Sequence, residues 1–97
     1  MEHEWGLEFE WDPRKAIANS QRHKVTFQEA ASVFADTLAV TYHDPDHSLE
    51  EERYITIGMS SAGRLLLVPH AERGDHIRII SARVATRVER IHYEEER

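Results

Sequence analysis

The sequence predicts an α+β domain: two N-terminal helices, an antiparallel four-stranded meander sheet and a C-terminal helix. Three observations carry that expectation. Two helix-start signals, Asp12 before Pro13 and Thr26 with Glu29, come early in the chain. From Leu38 to Ala82 apolar residues recur at alternate positions in four runs parted by turn formers, the period of half-buried strands. Beyond Val84 the apolar spacing returns to that of a helix.

In chain order, Leu7, Phe9 and Trp11 alternate with Glu8 and Glu10, and a first strand is expected there. Asp12 can accept from the free N–H groups of a first helical turn, and proline needs no donor at the position after the cap, so a first helix runs from Pro13 to about Arg22. Ala16, Ile17 and Ser20 form its inner side, with Arg14, Lys15, Asn19 and Arg22 left for solvent or a ligand. Thr26-Phe27-Gln28-Glu29 reads as a capping box. The helix it opens has Ala30, Ala31, Val33 and Phe34 as its stripe and ends by Asp36. Strands follow at Leu38 to His43, Arg53 to Met59, Arg64 to Ala71 and His76 to Ala82, with turns at Ser60 to Gly63 and Glu72 to Asp75. Pro69 donates no ladder bond, which predicts a bulge or an edge at that point. Val84, Val88, Ile91 and Ala85 set the inner stripe of the last helix.

The length of 97 residues predicts one domain, 1–97, with a small core. Without cysteine there is no disulfide, thiolate metal site or cysteine nucleophile. Apolar runs are too short to span a membrane, and the first residues are acidic instead of a basic leader, so a cytoplasmic protein is expected. The net charge of −6 argues against a nucleic-acid partner. Its distribution argues the other way. Acids crowd the ends (Glu2, Glu4, Glu8, Glu10, Asp12; Glu94, Glu95, Glu96) and one loop (Glu50, Glu51, Glu52), whereas from His76 to Tyr93 the charges are Arg78, Arg83, Arg87 and Arg90 with Glu89 as the one acid.

Two sets of residues invite chemistry. His43-Asp44-Pro45-Asp46-His47 offers imidazoles and carboxylates close together, but Pro45 and the aspartates suit a solvated turn, and no metal or other cofactor is expected. The second set is Lys15, Arg22 and His23 near the helical hairpin, Glu52 and Arg53 opening a strand, and Arg78 and Arg83 at the last strand. It suits RNA cleavage, in which a 2′-hydroxyl attacks its own phosphodiester. That needs a base, a proton donor and cations for the phosphorane. Glu52 or His23 serves as base, His23 or an arginine as donor, and Arg53, Arg78 and Arg83 as a clamp. Trp11 is either a base-stacking platform or a core residue packed on the first helix.

Phe9-Glu10-Trp11-Asp12 with Lys15 and Asn19, His23, Phe27, Ala30, Val33-Phe34, Asp36, Glu52-Arg53, Ile57-Gly58, and Ile77-Arg78-Ile79-Ile80-Ser81-Ala82-Arg83 with Glu89 and Tyr93 behind it resemble the BrnT toxin family over nearly the whole chain. The resemblance implies a RelE-like fold, an antiparallel sheet with helices on one side, and metal-independent RNA cleavage that inhibits translation and arrests growth. It also implies neutralisation by a BrnA-like antitoxin of ribbon-helix-helix type, operator DNA contacted only through that antitoxin, and a heterotetramer. The residues it singles out are Arg53, Arg83, Glu52, His23 and Lys15 for catalysis and Arg78, Arg22 and Trp11 for RNA binding. An alternative is a non-catalytic module that assembles with a DNA-binding partner. The chain departs from the family at Lys24, where glycine is usual, at Pro69 and in its overall acidity.

Overall fold

The computed structural model describes residues 2–4, 7–47 and 51–96, with side chains for 7–46 and 51–96. Glu50 and the side chains of Glu2, Glu4 and His47, all considered above, lie outside that description. Along the chain come β1 (Glu2–Glu4), β2 (Leu7–Glu10), α1 (Pro13–His23), α2 (Phe27–Ser32) and a 3₁₀ turn (Val33–Ala35). There follow β3 (Val40–His43), a second 3₁₀ turn (Pro45–His47), β4 (Arg53–Met59), β5 (Leu65–Arg73), β6 (His76–Ile79), β7 (Arg83–Val84) and α3 (Arg87–Glu95). The sheet runs β1-β2-β6-β5-β4-β3, with β7 also on β5. The expected meander is its β3-to-β6 part. The sheet is neither four-stranded nor wholly antiparallel, because β2 lies parallel to β6, pairing Phe9 with Ile77 and Glu10 with Arg78, and β1 extends that side. The helices between β2 and β3 form the long connection that lets β2 join beyond the meander.

Helices cover both faces of the sheet, against the expectation of one. On the first face α1 and α2 pack on a core of Phe9, Val25, Phe27, Ala30, Val33, Leu66, Val68, Ile77, Ile79 and Ala82. On the second, Tyr93 of α3 closes over Ile57, Leu65 and Leu67. The alternation of β5, buried on both sides through Leu65, Leu66, Leu67 and Val68, marks a strand roofed twice.

Asp12 caps α1 by accepting from the Arg14 N–H at 2.8 Å. Of its expected inner side, Ala16 packs against the core and Ser20 is half-buried, but Ile17 and Asn19 exchange places. Ile17 is 61% exposed, and the buried residue is Asn19, whose amide donates to the Val25 carbonyl (3.0 Å) and the Ala82 carbonyl (2.8 Å) and accepts from the Ala82 N–H (3.1 Å). A buried amide with its groups satisfied fixes its neighbours strongly, so Asn19 fastens α1 to the Ser81-Ala82 segment. The spacing from Lys15 to Asn19 is therefore partly a structural signature.

Thr26 caps α2 by accepting from the Glu29 N–H, but the capping box is only half made. The Glu29 carboxylate turns instead to Arg64 Nε (3.0 Å) and the Ser60 hydroxyl (2.7 Å), tying α2 to the β4–β5 turn. The complete box opens α3, between Thr86 and Glu89. Lys24 takes the left-handed conformation, φ 60°, that ends α1, so a side chain occupies the place where glycine costs least. Pro69 lies beside a break in the neighbouring strand. From Leu67 to His70 on β5 is three steps, while from Arg83 back to Ile79 is four. The extra residue is a bulge, and Ile80 N–H donates to the Pro69 carbonyl within it.

Of the stripe expected to bury α3, Ala85 packs against the second core, but the larger residues face outward. Val84, Val88 and Ile91 are 45%, 76% and 43% exposed, while Tyr93 is buried. The Tyr93 hydroxyl donates to Asp36 at 2.7 Å, and Asp36 also accepts from the Met59 N–H.

Candidate functional site

Cross-strand pairing places Arg53 opposite Ala71, Ala71 opposite Arg78 and Arg78 opposite Glu10. Paired residues share a face, and alternation puts this row on the face that α3 covers further along. With strands roughly 4.8 Å apart, Arg53 and Arg78 are about 10 Å apart at their backbones, with only the small Ala71 between them. The next row holds Arg73 opposite His76, and His76 opposite Glu8. Three arginines thus share one stretch of sheet around the fully buried Ala71, Arg73 exposed and Arg53 and Arg78 half-buried.

Carboxylates hold them in place. Arg78 Nη1 lies 3.0 Å from Glu10 Oε2. Arg73 donates from Nε and Nη2 to Glu51 at 3.1 and 2.6 Å. The Arg73 hydrogen bonds, with the charges of Arg53 and Arg78 further off, hold the Glu51 carboxyl below its usual range. His76 Nε2 lies 2.6 Å from Glu8 and its Nδ1 3.0 Å from Asp75. A phosphodiester is an acceptor like these carboxylates and fits the same forks bidentately. Beside the row a cleft of about 350 Å³ is lined by Phe9, Glu10, Trp11 and Arg78. Trp11 packs edge-on against Phe27 at 5.9 Å while lining that cleft, so it is both partly core and partly reachable.

The remaining sequence candidates are not brought to this row. Lys15 and Arg22 are exposed and His23 half-buried on α1, which packs on the opposite face. Glu52 precedes β4 and bonds its carboxylate to His43 Nε2. Arg83 shares the face of Arg53 but pairs with Leu67, four positions along β5 from Ala71, or about 13 Å. Both its terminal nitrogens donate to Glu89, each at 2.8 Å. That bond, with the capping box of Thr86, pulls the Glu89 carboxyl down to about 2.

Sequence reasoning missed Arg73, Glu10, Glu51 and His76 as members of the site. The signal was available in the turn. Gly74 has φ 63°, the positive value a two-residue hairpin takes at its first turn position. A Gly74-Asp75 turn forces Arg73 opposite His76 and Ala71 opposite Arg78. A looser turn from Glu72 to Asp75 hides both pairs. On the other face the fully buried His70 joins a chain of hydrogen bonds, Thr41 to Thr56 (2.8 Å) and Thr56 to His70 Nε2 (2.7 Å). Burial pushes its pKa down to about 4. Among the described residues, no group of three or more His, Cys, Asp or Glu side chains is arranged to hold a metal ion, and no helix is long and apolar enough to cross a membrane.

The family model described as the ribonuclease toxin, BrnT, of type II toxin-antitoxin systems matches residues 11–89. The chain belongs to the BrnT family. Membership makes it a ribonuclease toxin by family, with an antitoxin as its counterpart. Among solved structures it is similar to the Brucella abortus ribonuclease toxin BrnT, at 19% identity and a TM-score of 0.60, over 84% of this chain and 99% of that one. At that identity the likeness is one of fold. Comparison with curated proteins gave no match. The matched segment runs from Trp11 to Glu89, so it spans Arg53, Arg73, Arg78 and Arg83.

Proposed function

We propose that this BrnT-family chain is a metal-independent endoribonuclease that cuts RNA in the cytoplasm, inhibiting translation and growth, and that the Arg53-Ala71-Arg78 row is where the RNA backbone is held. The observation that carries the reading is the juxtaposition of Arg53, Arg73 and Arg78 around Ala71. RNA phosphates displace Glu10 and Glu51 from their forks, and the guanidinium groups, already positioned, meet the charge that develops on the phosphorane. The cleft at Trp11 takes a base beside the phosphate on Arg78.

In the reaction the 2′-oxygen bonds to phosphorus as the bond to the 5′-oxygen breaks. The proton of the 2′-hydroxyl goes to a base, and the leaving oxygen gains one from an acid. Glu52, next in sequence to Arg53, is the proposed base; to take the proton its carboxylate must leave His43 and turn to the row. Lys15, Arg22 and His23 on α1 then bind flanking nucleotides on the far side of the domain. Arg83 holds α3 to the sheet through Glu89. The neutralising partner is a BrnA-like antitoxin of ribbon-helix-helix type in a heterotetramer, and operator DNA is contacted only through it. The RelE likeness of the fold is part of the same reading.

The test is incubation of a long defined RNA with the purified chain in EDTA, beside its Arg53→Ala variant. Cleavage by the parent alone is expected. Absence of cleavage by the parent would favour the non-catalytic module, a reading that the outward aliphatic face of α3 also suits.

A further inference from the structure

The helix α3 carries its aliphatic stripe on the side away from the core. Tyr93 points into the sheet and Glu89 reaches down to Arg83. At 100° per residue Ile91 lies about 160° around the helix from Tyr93 and Val88 about 140° on the other side, and Val84 precedes the helix in β7. All three are exposed. Exposed aliphatic side chains in a contiguous stripe mark an interaction surface more often than scattered ones do. Arg87 and Arg90 lie along one side of the stripe, with Glu94 on the same side; both are exposed, and neither has an ion pair among the described residues. In the same arginine-rich segment Arg78 and Arg83 are already matched by Glu10 and Glu89.

We propose that this surface seats the antitoxin, through an amphipathic segment that lays aliphatic side chains on Val84, Val88 and Ile91 and carboxylates on Arg87 and Arg90. The proposal rests on the family reading for the existence of that partner; its place and chemistry come from the surface itself. In a chain of net charge −6, two arginines without an ion pair among the described residues, beside an apolar stripe, offer carboxylates a place to bind. A second copy is the lesser occupant. A helix of nine residues is about 13 Å long, and pairing two of them covers a few hundred Å² each, well short of the ~800 Å² per partner of a stable interface. A segment that continues past α3 reaches more.

The experiment is calorimetric titration of the cognate antitoxin into the full chain, its Val88→Glu and Ile91→Glu variants and its Arg90→Glu variant, with RNA cleavage and thermal unfolding measured for each. Binding weaker by about 30-fold or more in the two valine and isoleucine variants and by about tenfold in Arg90→Glu, with unchanged unfolding and cleavage by Val88→Glu, is expected. Antitoxin binding by both aliphatic variants at parental affinity overturns the proposal. So does a concentration-dependent dimer of the free chain that Val88→Glu abolishes while antitoxin binding survives. If the parent itself does not bind the antitoxin, the partner reading fails together with the proposal, and that result is recognisable because it appears without any substitution.

Discussion

One face of the sheet carries two arginine sites with opposite characters. In the half roofed by α3, Arg83 is locked to Glu89, which also completes the capping box of that helix, and apolar Ile57, Leu65 and Leu67 fill the rest. In the half beyond α3, Arg53, Arg73 and Arg78 surround Ala71, and Arg73 and Arg78 carry carboxylates that a phosphate can replace. The residue type and the face are the same. What separates them is the partner, not the exposure, because Arg83 is 37% and Arg78 33% exposed, but Glu89 is fixed in the cap of α3, whereas Glu10 and Glu51 hold no helix and can give way to another anion.

The largest expected effect falls on the half beyond α3. Arg53→Ala or Arg78→Ala lowers RNA cleavage by about 10²–10³-fold, as loss of one preorganised donor to a developing oxyanion does, with little change in melting temperature. Equal loss of stability in these variants would erase the contrast.

A pH titration of stability sharpens it. His70 has its folded pKa depressed from 6.5 to about 4, so the unfolded chain takes up the proton first and stability falls as pH drops from 6.5 toward 4, by about 3 kcal/mol in all. His70→Asn flattens that limb in urea-unfolding curves. Glu89, folded at about 2 against 4.5 unfolded, contributes stability that is full above pH 4.5 and lost as pH falls toward 2. After allowance for its partly exposed partner this is about 2 kcal/mol. Glu89→Gln removes the second limb and leaves the first.

The smallest effect lies at the end of α1. Lys24→Gly relieves a left-handed backbone and raises stability by about 1 kcal/mol, readable as a melting-temperature rise. A fall would mean that the Lys24 bond to the Gln21 carbonyl outweighs the strain.

Much of this fold was legible in local signals. Asp12 and Thr26 start helices because their caps are local chemistry, and the meander follows from alternation and turns. Lys24 and Pro69 stood out because backbone geometry restricts few residues so sharply. What stayed hidden depended on contacts across the chain. Nothing near Asn19 announces that its amide is bonded to residue 82, and no local pattern tells β2 to lie parallel to β6. Periodicity finds a stripe on α3 but not which way it faces, so Val84, Val88 and Ile91 read as core. The site divides in the same way. Arg53, Arg78 and Trp11 stood out in the sequence as candidates, whereas the place of Arg73 and Glu51 beside them required the register. His23 and Lys15 belong to a layer that the sequence alone could not assign to the other face.

The most direct test of the division between the two arginine sites is to measure Arg78→Ala and Arg83→Ala side by side, each for RNA cleavage in EDTA and for thermal unfolding at neutral pH. The account predicts that Arg78→Ala loses cleavage at unchanged stability, while Arg83→Ala melts earlier and still cleaves below its melting temperature. Loss of cleavage by a fully stable Arg83→Ala, with Arg78→Ala still active, would contradict it.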